Sequence, residues 1–231
     1  MVSAPRSLID GKLCSNASKS QRGRCRPIMA AIEFWFDFAS TYSYPTAARI
    51  ETLTRQAGMT VAWKPFLLGP IFQRQGWNDS PFNIYPAQGR YMWRDLERIC
   101  AGLGIPLRRP SVFPRHSVLA AQVACYFASE PWLPQFVRQV FHANFADDLD
   151  ISDPKVIEAC LDYAGVSGIE KIKSAVTPES RNTLRLQTEQ AIAAGIFGAP
   201  TFVVDQEIFW GNDRLEQAIA WRQSPGLNPT D

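Results

Sequence analysis

One stretch constrains the fold more than any other: Ile32-Glu33-Phe34-Trp35-Phe36-Asp37-Phe38, followed by Ala39-Ser40-Thr41-Tyr42-Ser43-Tyr44. The first seven residues are almost unbroken apolar and aromatic, the pattern of a strand buried on both faces. After the turn at Ala39-Ser40-Thr41, the residues Ala47, Ala48, Ile50 and Leu53 recur at helical spacing. Ser40 therefore stands where a buried strand hands over to a helix N-terminus. Free backbone N–H groups and the helix dipole favour negative charge there. The plain reading of Ser40 is an N-cap, the commonest use of serine at such a point.

The remainder of the chain can support a large core. The whole chain has 231 residues, 46% hydrophobic and 12% aromatic, with a formal net charge of +2. That balance gives no reason to expect nucleic acid or an anionic membrane surface as a partner. No apolar run approaches the roughly 20 residues of a membrane span. The five cysteines (Cys14, Cys25, Cys100, Cys125, Cys160) are scattered and nowhere form Cys-x-x-Cys. They argue against a disulfide framework or a zinc site and fit a reducing, cytoplasmic compartment. The only histidines, His116 and His142, are far apart in sequence, so no metal site is expected.

Residues 1–30 read as a disordered leader: they are polar and basic, without period and without the apolar segment of a secretory signal. Met29, just before the first strand, reads as the start. Thr60 to Phe66 alternates as a second strand after a Gly58 stop, completing a β-α-β unit. Leu67 to Pro86, rich in Gly and Pro, reads as loop. From 87 to 195 the pattern is helical. One helix is marked by Met92, Leu96 and Leu103 and stopped by Gly104 and Pro106, others run through Val118–Phe127 and Phe136–Phe145, and two more open at Asp153-Pro154 and Pro178-Glu179. Strands return at Thr201–Val204 and Glu207–Trp210, and a last helix follows Gly211-Asn212-Asp213. The expected architecture is α/β: a discontinuous sheet domain (31–86 and 196–223), an all-helical insertion (87–195) and a tail at 224–231.

Two further stretches converge with Ser40. Gly198-Ala199-Pro200-Thr201 places a proline at the head of a strand. Trp210-Gly211-Asn212-Asp213-Arg214-Leu215 opens a helix with Asn212 or Asp213 as a plain cap. The same helix start, with amides and an acidic side chain, also suits a zwitterionic head group.

Taken in order with Asn78 and Pro86-Ala87-Gln88-Gly89-Arg90-Tyr91-Met92, these stretches resemble the glutathione-dependent 2-hydroxychromene-2-carboxylate isomerases and the kappa-class glutathione transferases. Both are thioredoxin-like proteins with a helical insertion, and the resemblance runs from about Ile32 to Trp221. Thioredoxin-like redox proteins carry Cys-x-x-Cys where this chain has Ser40-Thr41-Tyr42-Ser43, so a disulfide oxidoreductase is nearly excluded.

By that resemblance glutathione is the cofactor, a small aromatic compound the substrate and a homodimer the assembly. Ser40 would be the catalytic residue, holding the glutathione sulfur as thiolate. Asn78 would bind the glycyl carboxylate, Ala199 before a cis Pro200 the cysteinyl backbone, and Asn212 and Asp213 the γ-glutamyl end. Two positions depart from the family. Thr41 replaces a proline, and Gln88 stands where a lysine usually meets the glycyl carboxylate, with Arg90 nearby as a substitute charge. Tyr42, Tyr91 and Trp93, with Phe38, Trp63 and Trp77, are candidates to wall a flat substrate; for Phe38 and Trp63 core packing is the stronger reading. The isomerase reading is favoured. A kappa-like transferase and a non-catalytic thiol- or peptide-binding module are its rivals.

Overall fold

The computed structural model describes residues 31–223, so the leader, Met29 and the tail at 224–231 lie outside the described residues. Strand β1 (Ala31–Phe36) runs parallel to β2 (Thr60–Pro65), and helix α1 (Ser43–Gln56) makes the crossover between them. Strand β3 (Thr201–Val204) pairs antiparallel with β1, and β4 (Glu207–Trp210) pairs antiparallel with β3. The sheet order is thus β2-β1-β3-β4. The first strand of the chain lies inside the sheet, between partners drawn from both ends of the sequence.

Its two faces are closed separately. Ile32, Phe34 and Phe36 join Trp63 and Phe202 in the main core. Register sets Phe34 opposite both Trp63 and Phe202, with ring centroids 5.3 and 5.8 Å away. Trp35, on the opposite face, packs with Phe66, Ile71, Ala191 and Ile196. Fully burying a large apolar side chain contributes about 1.5–3 kcal/mol, so this aromatic stack anchors the central strand. Phe38 continues it past the strand end, against Phe136 and Phe141, at 6.3 and 5.1 Å. The turn that carries Ser40 is therefore clamped by packing, and Phe38 and Trp63 are core residues, the stronger of their two sequence readings.

Every element between β2 and β3 is a helix: α2 (Leu68–Arg74), α3 (Pro81–Ile84), α4 (Pro86–Leu103), α5 (Val118–Tyr126), α6 (Leu133–Phe145), α7 (Pro154–Tyr163), α8 (Gly168–Ala175) and α9 (Pro178–Ala193). A 3-10 turn at Asn212–Arg214 then leads into α10 (Leu215–Gln223). The boundary signals work as chemistry. Asp153 accepts the Lys155 N–H at 2.9 Å and Pro154 takes the first position of α7. Gly104 ends α4 in the left-handed region at φ 65°.

The Leu67–Pro86 stretch is a correction, because it holds α2 and α3 rather than loop alone. Pro70 falls in the first turn of α2 and Pro81 at the start of α3, where the missing N–H costs nothing. Ser80 caps α3 by accepting the Phe82 N–H. Helix α8, one short segment of eight residues, also lacked a clear sequence signal.

Helix α4 lies hard against α3 at Gly89. A Cβ there would come 2.2 Å from the Phe82 carbonyl oxygen and 3.2 Å from its carbon. A backbone carbonyl cannot swing aside as a side-chain end can. Gly89→Ala is therefore expected to destabilise the fold by about 1–3 kcal/mol and to displace Phe82. An unchanged denaturant midpoint would sink this expectation.

Candidate active site

Ser40 lies three residues ahead of α1, in the turn that β1 feeds. Its Oγ accepts the Ser43 N–H at 3.4 Å, a long bond, so the cap reading describes only its weaker contact. The better bond runs across the fold: the Ser40 hydroxyl donates to the Ala199 carbonyl at 2.8 Å. The Ala199–Pro200 peptide is cis, and Pro200 leads directly into β3. Ser43, fully buried below, is a second unusual serine. Its Oγ is the sole buried side-chain N or O atom among the described residues without a hydrogen-bond partner.

Asp37 ties this turn to the walls around it. One carboxylate oxygen accepts the Ala39 N–H at 2.9 Å and the Ser117 hydroxyl at 2.6 Å; the other accepts the Leu68 N–H at 2.8 Å. A single side chain thereby joins the Ser40 turn to the starts of α2 and α5. Burial pushes the Asp37 carboxyl above its usual range, against the pull of those three donors. Behind it, Arg115 donates to the Asn144 carbonyl and amide oxygens at 3.2 and 3.1 Å and pairs with Asp148. The Ser111 amide and Arg115 hold Asp148 down to about 2. Asn144 closes the network by donating to the Phe38 carbonyl at 3.0 Å.

Ser40, Ala199 and Pro200 open into a cavity of 1320 Å³ that also meets Tyr42, Asn78, Gln88, Asn212 and Asp213. It exceeds the roughly 300–1,000 Å³ of a typical small-molecule site, which leaves space for two ligands side by side. Its aromatic walls are Phe72, Trp77, Phe82, Phe113, Phe197 and Trp210. Asn78 and Gln88 are exposed and without hydrogen-bond partners among the described residues, so their amides are open to a ligand. Tyr42 lines the cavity and donates to Asp95 at 3.1 Å; burial, then the Asp95 charge, pushes its phenol upward.

Two site residues behave differently from each other. The Asn212 amide oxygen accepts from Thr46 Oγ1 at 3.0 Å and from Arg49 Nε at 3.4 Å, which fixes the 3-10 turn to α1. Asp213 beside it is exposed, with Arg214 Nη2 at 3.4 Å. The turn depends on Gly211, whose φ of 117° strains any side chain placed there.

Three candidates are corrected. Tyr91 is 62% exposed and outside the cavity lining. Trp93 is buried against Phe113, at 5.1 Å, and so stands behind a wall residue instead of forming the wall. Arg90 does not line the cavity either; the basic side chains that do are Arg115 and Arg214, with the His116 imidazole. The sequence reading missed Asp37, Ser117, Arg115 and His116. Only Ser117, a polar residue just ahead of an apolar helical run, carried a local signal, and that signal pointed to a cap.

The described cysteines, Cys100, Cys125 and Cys160, are free and buried. Burial pushes the first two up to about 11 and the third up to about 12, so they are protonated and unreactive at neutral pH. No group of three or more His, Cys, Asp or Glu among the described residues is placed to hold a metal. No described helix is long and apolar enough to cross a membrane.

A sheet of order β2-β1-β3-β4, a strand-to-helix turn facing a cis-proline and a helical block inserted before β3 define a thioredoxin-like protein with serine in place of the redox cysteine. The family described as DSBA-like thioredoxin domain matches residues 31–219, and the chain belongs to it, together with the 2-hydroxychromene-2-carboxylate isomerases and kappa-class glutathione transferases. It is 30% identical over 187 residues to a 2-hydroxychromene-2-carboxylate isomerase of Sphingobium xenophagum, covering 80% of this chain and 94% of that one. It is 34% identical over 213 residues to glutathione S-transferase kappa 1 of Caenorhabditis elegans, covering 86% and 93%. A solved structure of 2-hydroxychromene-2-carboxylate isomerase superposes with a TM-score of 0.73 over 84% of this chain and 94% of the other, at 24% identity. That last likeness is one of fold.

Proposed function

We propose that this protein is a glutathione-dependent isomerase of the 2-hydroxychromene-2-carboxylate type, acting in the cytoplasm, with Ser40 stabilising the thiolate. The carrying observation is the Ser40 hydroxyl, set against the Ala199 carbonyl at the base of a large cavity with aromatic walls. The described cysteines, buried and protonated, are not placed to serve as the thiolate beside Ser40, which is consistent with a sulfur brought by a ligand.

The residues present fit a thiol tripeptide. The Ser40 hydroxyl lies in the cavity wall just ahead of α1, where helix N-terminal donors and dipole favour an anion. Ala199 offers backbone to an extended peptide, Asp213 offers a carboxylate to an ammonium, and Asn78 and Gln88 offer amide donors to a carboxylate. Replacing the family's lysine by Gln88 leaves neutral donors at that end. Hydrogen bonds to charged groups are worth about 1.5–3 kcal/mol, so affinity for glutathione should be lower than with a lysine. Once bound, glutathione would supply a nucleophile that adds reversibly to an electron-poor conjugated carbon and is eliminated after bond rotation. The aromatic walls orient a flat substrate, and the buried Asp37 network keeps the Ser40 turn rigid while it reacts.

A second reading, conjugation of glutathione to small electrophiles, is favoured by the 34% identity to a kappa-class transferase. One assay separates the two. Purified protein is given 2-hydroxychromene-2-carboxylate with and without glutathione, and products and free thiol are quantified. Thiol-dependent conversion with full recovery of glutathione supports the isomerase. A stable conjugate supports the transferase, and tight binding without turnover leaves a non-catalytic module.

A further inference from the structure

We infer that the Ser40 proton is latched on the Ala199 carbonyl and is released toward a bound sulfur only by a ligand that brings its own backbone N–H to that carbonyl. This rests on the reading that a thiol sits beside Ser40. A serine hydroxyl has one proton. Here it is committed at 2.8 Å to Ala199, while the Ser43 N–H engages the oxygen from the other side. Ser40 is 8% exposed, so water does not offer the proton an easy alternative.

Turning that proton to a thiolate exchanges a neutral acceptor for a charged one, which is favourable. The same turn strips the Ala199 carbonyl of the sole hydrogen bond that it accepts among the described residues. An orphaned, half-buried carbonyl carries a penalty of the same order as the gain. For a simple thiol the two effects nearly cancel, and Ser40 does little. A peptide thiol whose N–H reaches the Ala199 carbonyl removes the penalty, and the full gain appears. Ala199 lies on the cavity wall at the head of β3, where an extended ligand can reach it. Recognition of a peptide backbone and activation of its sulfur are thereby one event, and small cellular thiols without that N–H gain little from Ser40. The one covalent bond broken is the thiol S–H, whose electron pair stays on sulfur and whose proton passes to solvent; the Ser40 O–H stays intact.

The test compares glutathione with its ester analogue, in which oxygen replaces the cysteinyl N–H and nothing else changes. Thiol pKa values of both, bound and free, are read from ultraviolet thiolate absorbance, and affinities from calorimetry. Glutathione is expected to fall about one to two pKa units on binding, the ester analogue about one unit less. In Ser40→Ala the difference between them should vanish. Well below the thiol pKa the two should bind within about tenfold of each other, the worth of one neutral hydrogen bond. Equal lowering for both ligands, a difference that survives in Ser40→Ala, or a larger affinity gap at low pH overturns the latch and leaves the functional reading standing. Absence of any heat from glutathione overturns both.

Discussion

Ser40→Ala is expected to cut glutathione-dependent turnover by about tenfold to a hundredfold, the kinetic equivalent of one hydrogen bond to a charged sulfur. The change should fall mainly on kcat, because the peptide's other contacts are untouched. Its pH profile is the sharper readout. With the hydroxyl present, the bound thiol is expected to ionise below the ordinary value near 8.5. Without it, the limb of the profile that follows thiol ionisation should move toward higher pH. The variant should fold, since it leaves one carbonyl short of a partner in a half-buried place, a loss of about 1–3 kcal/mol that a typical domain's stability tolerates. Undiminished turnover with an unmoved profile would remove Ser40 from the chemistry.

Asp37→Ala is the substitution expected to harm the fold most. It would leave the half-buried Ala39 and Leu68 amides and the buried Ser117 hydroxyl without their acceptor. Each stranded donor costs about 1–3 kcal/mol, so a total loss of about 3 kcal/mol or more is expected, a large part of a typical domain's stability. Ser117→Ala removes one donor and leaves the acceptor satisfied by the other two, so its loss should stay near 1 kcal/mol. Chemical denaturation of the three proteins, with m-values compared to confirm two-state behaviour, checks the order. Equal midpoints for Asp37→Ala and Ser117→Ala would show that the carboxylate is not the hub.

What could be read in the sequence was local. The β1–Ser40–α1 junction, the Asp153-Pro154 start and the Gly104 stop each follow from residues within one or two turns of each other. In Leu67–Pro86 glycine and proline give a loop signal that hides two short helices, because proline is tolerated in a helix's first turn. Tyr91 and Trp93 were drawn to the site by their place beside a motif. On a helix, successive side chains point about 100° apart, so Trp93 lies about 140° round α4 from the cavity residue Gln88, while Tyr91, about 60° from it, falls at the flank and stays in solvent. Asp37 and Ser117 meet across 80 positions of sequence. No periodicity or capping signal encodes such a pairing; only the packed sheet and helices bring it about.

The sheet order has a consequence for how the chain is made. Ser40 and its carbonyl partner are separated by 159 positions, and β1 cannot acquire its β3 neighbour until the last strands have left the ribosome. At about 5–20 residues per second, β1 and the α1 turn wait roughly ten to thirty seconds for that partner. Through that interval β1 presents Phe34, Trp35 and Phe36 along an unpaired edge, a sequence of the kind that invites intermolecular pairing. The nascent chain, rather than the finished protein, is where this molecule is most exposed to aggregation.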